Sequence, residues 1–332
     1  MRFVVTGSIA TDHLMHFPGQ FGEQFIPEEL GKVSLSFLVD ELVIRRGGVA
    51  ANIAYGMGCL GLSPVLVGSV GADFDSDYRG WLQEHGVDCD SVRVSTTAHT
   101  ARFVCTTDEQ MCQIASFYAG AMAEAREISL LPVAERLGGI DLVLIGANDP
   151  AGMLRHSAEC RENGYPFAAD FSQQIARMSG PELAELIDGA TYLFGNEYEK
   201  SLLESKTGLT AAEVLSRVQI RVTTLGAAGV RIEGRDAAGA PFEPIVVPAA
   251  KELAKHDPTG VGDGFRAGFF AALAWGLPLE RAAQVGNLLA TYVIETIGTQ
   301  EYDLAAADFL SRLADSYGAD AAAEVGKHLA AA

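Results

Sequence analysis

The stretch "PFAADFSQQIARMSGPELAELIDGATYLFGN", Pro166 to Asn196, holds two short apolar runs on either side of a segment of helix length. The runs are "PFAADFS" (166–172) and "TYLFGN" (191–196), and each is brief, apolar and closed by polar residues. Such runs read as buried strands, and the segment between them as a crossover helix. The same beat recurs on both sides, with "DLVLIGA" (141–147) before and "IRVTTLG" (220–226) after. Strands alternating with helices define an α/β fold, a three-layer α/β/α arrangement around a central, mainly parallel sheet. In such sheets ligands gather at the carboxyl ends of the strands.

Working outward, "RFVVTG" at the N-terminus reads as another buried strand. "GGVAANIAYGMGCLG" (47–61) is a dense run of small and apolar residues that suits a packed helix starting after the double glycine. "SPVLVGSVG" is strand-like, and "DFDSDYRGWLQEHG" is a polar helix with an aspartate-rich start. From Val261 onward the chain is mostly helical and alanine-rich. Two pieces break the rhythm: "KVSLSFLVDELVIRR" (32–46) and "HTARFVCTTDEQMCQIASFY" (99–118) alternate apolar and polar residues as strands do, with "TTDEQ" (106–110) as a hairpin turn. They form either one small β-element projecting from the main sheet or ordinary edge strands.

The totals bound the function. A chain of 332 residues, 48% of them hydrophobic, can bury a sizeable core. The formal net charge is −19 and the pI about 4.7, a field that repels phosphate backbones, so nucleic acid is not an expected partner. The five cysteines, Cys59, Cys89, Cys105, Cys112 and Cys160, show no metal-ligand spacing and read as reduced thiols. The N-terminus has no signal-peptide core, and no apolar run reaches the roughly 18 residues of a membrane span. The expectation is a cytoplasmic protein without membrane association.

The chemistry concentrates in "HDPTGVGDGFRAGF", His256 to Phe269, where Asp257 and Asp263 flank a glycine-containing turn that opens a helix. Unpaired amides at a helix start attract anions, and Gly260 and Gly262 allow close backbone approach. Asp263, at the helix threshold, is either an N-cap or a general base beside a phosphoryl group. No Walker A pattern occurs in the chain. "TTLGAAGV" (223–230), with Gly226 and Gly229, either receives a nucleotide or closes a hairpin. "GMGCLG" (56–61) fits Gly-x-Gly-x-x-Gly but ends a helix instead of opening one, so it reads as a closing turn and not as a dinucleotide site. In "GNEYE" (195–199), Asn196 and Glu199 either position hydrated Mg²⁺ or cap a surface helix. Asp12 in "GSIATD", Asn52 in "GGVAAN" and the glutamines of "DFSQQ" all stand at predicted strand ends, where they could share one cleft.

Taken together, "GGVAANIAYGMGCLG" and "DPTGVGDGFRAGF" resemble the two signature regions of the ribokinase-like (PfkB) sugar kinases. Blocks matching in order over nearly the whole chain, among them "VTGSIATDHLM", "RRGGVAAN", "HTARFVCTTD", "SQQIARMSG", "RVTTLG" and "TIGTQE", look most like the actinobacterial-type adenosine kinases. The resemblance implies transfer of the ATP γ-phosphoryl group to the 5′-hydroxyl of adenosine, as in purine salvage, with Mg²⁺ required and K⁺ a possible activator. Asp263 would be the base, with Gly260, Val261 and Gly262 as the anion-hole loop. Ser8, Asp12, Gly48, Asn52, Phe103, Phe117, Gln173 and Gln174 would hold the nucleoside, with Ser36 reaching a partner's site in a homodimer formed through the lid. Asn196, Thr223, Gly226, Gly229 and Asn287 would surround ATP, Glu199 would hold Mg²⁺ through water, and Asp257 would belong to a monovalent-cation site. The resemblance divides the chain into a large α/β domain (1–13, 46–96 and 120–332) and a small β lid (14–45 and 97–119). Another sugar or nucleoside kinase of the family, of ribokinase or fructokinase type, and a non-catalytic nucleoside-binding protein are the alternatives.

The family loop usually reads Asp-Thr-x-Gly-Ala-Gly-Asp. Here Pro258 and Val261 replace two of its residues, and Gly264 after the base is expected to loosen the helix start. None of these changes removes a group that the chemistry needs.

Overall fold

A computed structural model describes residues 1–25, 31–32, 35–236 and 238–329. The strands, in chain order, are β1 (Phe3–Thr6), β2 (Ala10–Phe17), β3 (Glu41–Gly47), β4 (Val65–Val67), β5 (Ser69–Gly71), β6 (Arg93–Ser95) and β7 (Ala101–Asp108). They continue with β8 (Gln113–Tyr118), β9 (Leu142–Ile145), β10 (Phe167–Asp170), β11 (Tyr192–Asn196), β12 (Ile220–Thr224), β13 (Val230–Gly234) and β14 (Ile245–Val247). Eight of them form the central sheet in the order β14-β13-β12-β11-β10-β9-β1-β4. Pairing is parallel from β4 to β12, and the last two strands turn antiparallel. The opening stretch is therefore β10, a crossover and β11, in register Ala168 to Tyr192 through Asp170 to Phe194. The short strands are buried on both faces, as a helix-covered parallel sheet requires. One core cluster, including Phe194, Phe265, Phe269 and Phe270, fills one side of the sheet. A second, including Val143, Phe167, Met178 and Leu186, fills the other.

The small β-element is a mixed four-stranded sheet, β3-β2-β7-β8. It is a lid, not a pair of edge strands of the main sheet. The strand expected over 32–46 forms only at Glu41–Gly47; residues 35–39 are irregular, and 33–34 lie outside the described residues. The turn expected at 106–110 sits slightly later, because β7 pairs with β8 as far as Thr107–Gln113. A lid boundary at residue 14 would fall within β2, which pairs with β7 from Ala10 to Phe17.

The helix predicted after the double glycine is Val49–Cys59. Gly48 precedes it at φ 97°, where a Cβ would stand 2.6 Å from the Ser8 carbonyl oxygen, so only glycine fits between β3 and the helix. The Val261–Ala274 and Leu279–Ile294 helices pack closely on each other. A Cβ at Gly264 would meet Val293 Cγ2 at 2.7 Å. Gly264 is thus a packing residue of this crossing, where the sequence had suggested only looseness at the helix start. All five cysteines are unpaired, and among the described residues no helix is long and apolar enough to cross a membrane.

Candidate active site

The carboxyl ends of β1 and β9–β12, the starts of the 49–59 and 261–274 helices and one face of the lid enclose a cleft of about 810 Å³. That size suits a small-molecule site. Its lining brings together most of the residues singled out in the sequence. Ser8 comes from the β1–β2 junction, Gly48 and Asn52 from the start of the 49–59 helix, and Asp12, Phe103 and Phe117 from strands of the lid. Gln173 and Gln174 follow β10, Asn196 and Glu199 follow β11, and Gly226 and Gly229 lie between β12 and β13. The 260–263 segment and Asn287 complete the set.

Three expected residues are not in the lining. Thr223 is buried and faces a small hollow beside Phe171 and Lys200, while its neighbour Thr224 faces the cleft. A strand alternates its faces, so the expected contact moves by one residue. Ser36 is exposed on the irregular segment before β3. Asp257 ties two loops: its carboxylate accepts from the amides of Thr259 at 2.9 Å and Gly298 at 3.3 Å.

The helix carrying Asp263 begins at Val261, with Gly260 as its N-cap at φ 76°. Asp263 is therefore the third residue of the helix, and the N-cap expectation fails. Freed from capping, its Oδ2 accepts from Asn52 Nδ2 at 2.8 Å. Burial raises its pKa to about 7, against the Asn52 hydrogen bond and the Arg266 charge, which lower it, and with Asp170 adding to the rise. A carboxyl group so placed is ionised in part near neutrality and can take a proton from an alcohol. Across the cleft Asp12 is raised to about 6, by burial first and then by the charge of Asp257.

Asn196 and Glu199 cap each other: Glu199 N–H donates to Asn196 Oδ1 and Asn196 N–H to Glu199 Oε2, each at 2.8 Å. Both readings of "GNEYE" thus meet, since the capping box of the Glu197–Thr207 helix also lines the cleft. Burial raises the Glu199 pKa. The glycine loop after β12 likewise closes an antiparallel hairpin and lines the cleft. Phe103 and Phe117 are register partners across β7 and β8, so their rings project from one lid face. Gln174 is buried, whereas Gln173 is exposed.

The sequence reading missed a buried ion pair under this floor. Arg266, one helical turn after Gly262, donates to Asp170 Oδ1 at 3.1 Å and also pairs with Asp170 Oδ2. It donates to the Gly262 carbonyl at 2.8 Å as well. Asp170 further accepts from Ser172 Oγ at 2.9 Å, and Ser172 lines the cleft at φ 39°, a conformation uncommon for a residue with a side chain. One buried carboxylate therefore holds both the cation beneath the glycine loop and the turn that presents the glutamines. The residues present can bind a polar ligand, bind an anion at a helix start and accept a proton between them, which is the equipment of a phosphotransferase acting on an alcohol.

The comparisons agree with that class. The model of the pfkB family of carbohydrate kinases matches residues 21–307, so the chain belongs to this family. It is similar to the nucleoside kinase of Burkholderia thailandensis, whose structure with inosine superposes with a TM-score of 0.79 at 31% identity, over 95% of this chain and 99% of that one. The same kinase in complex with ADP-inosine gives a TM-score of 0.79 at 32% identity, over 95% and 96% of the two chains. The nucleoside kinase of Methanocaldococcus jannaschii is 29% identical over 255 residues, covering 76% of this chain and 80% of the relative.

Proposed function

We propose that this kinase transfers the γ-phosphoryl group of ATP to the 5′-hydroxyl of a purine nucleoside, adenosine first among them, releasing ADP and the nucleoside monophosphate. The observation that carries the reading is Asp263: a carboxyl with a pKa of about 7 in the first turn of a helix whose start lines the same cleft as two lid phenylalanines. In the reaction Asp263 accepts the hydroxyl proton as the oxygen attacks the γ-phosphorus. The new O–P bond forms, the bond to the bridging oxygen breaks, and ADP leaves. The amides of Gly260, Val261 and Gly262 hold the transferring oxygens as charge redistributes over them. Asp12 and Asn52 are assigned to the ribose hydroxyls, and Phe103 and Phe117 to the base. The amides of Gln173 and Gln174 can donate and accept, which suits either an amino or an oxo group on the purine. The inosine complex of the Burkholderia kinase supports a nucleoside acceptor, and its complex with ADP-inosine supports ATP as donor.

ATP is assigned to Asn196, Thr224, Gly226, Gly229 and Asn287. Mg²⁺ would arrive with the phosphates and neutralise their charge, with Glu199 holding its water shell; oxygen donors at a strand end fit that ion. We place a K⁺ site beside the Asp257 turn and the 296–301 loop. We also propose a homodimer formed through the lid, with Ser36 reaching the partner's cleft. A panel of adenosine, inosine, ribose and fructose with Mg²⁺-ATP, with and without K⁺, tests the assignment. Purine nucleosides are expected to be preferred by at least about tenfold in kcat/KM, a factor equivalent to about 1.4 kcal/mol. Preference for a bare sugar removes the nucleoside assignment, and nucleoside binding without ADP release makes the protein a binder.

A further inference from the structure

Asp263 is held by one uncharged donor, and the polarity of that contact is set elsewhere. Asn52 presents an amide, which could turn either its NH₂ or its oxygen towards the carboxylate. A chain of buried groups removes the choice. It starts at the Gly47 carbonyl, which can only accept, and which receives the Tyr78 hydroxyl proton at 2.7 Å. Having donated there, the Tyr78 oxygen can only accept from its other neighbour, Gln300, at 2.6 Å. Gln300 must therefore turn its NH₂ inward, and its second hydrogen goes to Asn52 Oδ1 at 2.9 Å. The Thr299 hydroxyl stands 2.9 Å from Asn52 Oδ1 and 3.0 Å from the Arg46 carbonyl, and its one proton serves either of them, so it does not fix the Asn52 amide. With the Gln300 NH₂ on its oxygen, Asn52 has its own NH₂ left for Asp263. Gln300 and Tyr78 are buried and outside the cleft lining, so the relay that sets the Gln300 amide lies behind the cleft wall.

We infer that Gln300, itself fixed by Tyr78, is a positioning residue that locks the Asn52 amide so that its NH₂ faces Asp263. The inference rests on the reading of Asp263 as the base. It assigns a role to a side chain that is not in the cleft lining and lies 37 positions from the aspartate in sequence. The relay ends on Gly47, where β3 of the lid returns to the 49–59 helix. The base is therefore referenced to the lid–helix junction as well as to its own helix.

The expected consequence is a shift in pH dependence. An Asn52 NH₂ on Asp263 favours the carboxylate, whereas an Asn52 oxygen there favours the protonated acid. The other groups around Asp263 are Arg266 on its own helix, Asp170 at the end of β10, Glu199 beside Arg266, and Tyr302 from the following loop. None of them is altered by a change at Gln300. Losing the lock raises the pKa of the base, so less carboxylate is present at neutral pH.

The test is the pH profile of kcat for Gln300→Met and for Tyr78→Phe, beside the parent enzyme and Asp263→Asn. The acid limb is expected to move up by roughly half a pH unit in either variant, with kcat recovering at alkaline pH. A purely structural role would lower kcat by one factor at every pH, or leave it alone, with the limb unmoved. Either of those results overturns the inference. If Gln300→Met does not fold, Tyr78→Phe, which frees the Gln300 amide to turn, must itself move the limb upward; an unmoved limb again overturns the proposal. Asp263→Asn separates the two readings. If it keeps turnover, the base assignment fails. If it is inactive while the limb stays fixed in the Gln300 and Tyr78 variants, only the positioning role fails.

Discussion

The proposed role of Asp263 as the base carries a cost to stability. Its pKa rises from the ordinary 3.8 to about 7 on folding, so folding favours the protonated form. The stability it contributes is complete below about pH 4 and is lost as pH rises through 7. Asp263→Asn keeps the acceptor for Asn52 but carries no charge. We expect its melting temperature to exceed the parent's at pH 8, with the gain shrinking towards pH 5, while turnover nearly vanishes. A gain of equal size at both pH values would contradict the assigned ionisation. The Arg266–Asp170 pair behaves differently, because removing one partner strands a buried charge. Arg266→Met is expected to cost about 3–5 kcal/mol in a denaturation experiment. A loss under about 1 kcal/mol would show that the pair can relax into water. Single residues were unevenly legible. Asp263, Asn196 and the glycines stand in local patterns at strand ends and helix starts. Asp170 and Arg266 lie 96 positions apart, and no local pattern joins them. Thr223 was placed one residue from the mark because only the finished strand shows which side chain faces the cleft.

Among the elements, the pair of helices at 261–274 and 279–294 sets where the base stands. Their backbones approach at glycines: a Cβ on Gly268 would meet the Val285 carbonyl oxygen at 2.7 Å, and one on Gly286 the Phe265 carbonyl oxygen at 2.6 Å. Neither obstacle is the end of a flexible side chain. Gly268→Val must separate the helices, at about 3 kcal/mol read from the denaturation midpoint. A variant as stable as the parent would mean that the crossing is looser than its geometry. Elements were the most legible level of this chain. The strands of the parallel sheet announced themselves as apolar runs, and the 49–59 helix began where the double glycine placed it. The segment before β3 read as a strand because it alternates, yet the lid sheet gives its described residues 35–39 no partner strand, and alternation without pairing does not make a sheet.

At the scale of the molecule, the lid has two unlike faces. Phe103 and Phe117 look into the cleft. One register step away, Leu42 (56% exposed), Ile44 (58%) and Ile114 (42%) lie on the outer face. An apolar patch of this kind is a feature of association surfaces, and it supports the proposed lid-mediated dimer. Ile44→Glu is expected to shift the protein to monomers in sedimentation velocity; a parent that is itself monomeric would remove the dimer. The net charge of −19 does not prevent an anionic donor from binding, because the cleft opposes it locally with helix-start amides. The central claim is that a nucleoside hydroxyl, deprotonated by Asp263, takes the phosphoryl group. Phosphorus NMR of a reaction containing adenosine or inosine and Mg²⁺-ATP observes this directly. The account predicts a nucleoside 5′-monophosphate signal growing in step with ADP for the parent enzyme and no such signal on the same timescale for Asp263→Asn. ADP formed without a nucleotide monophosphate, or equal signals from both proteins, would contradict it.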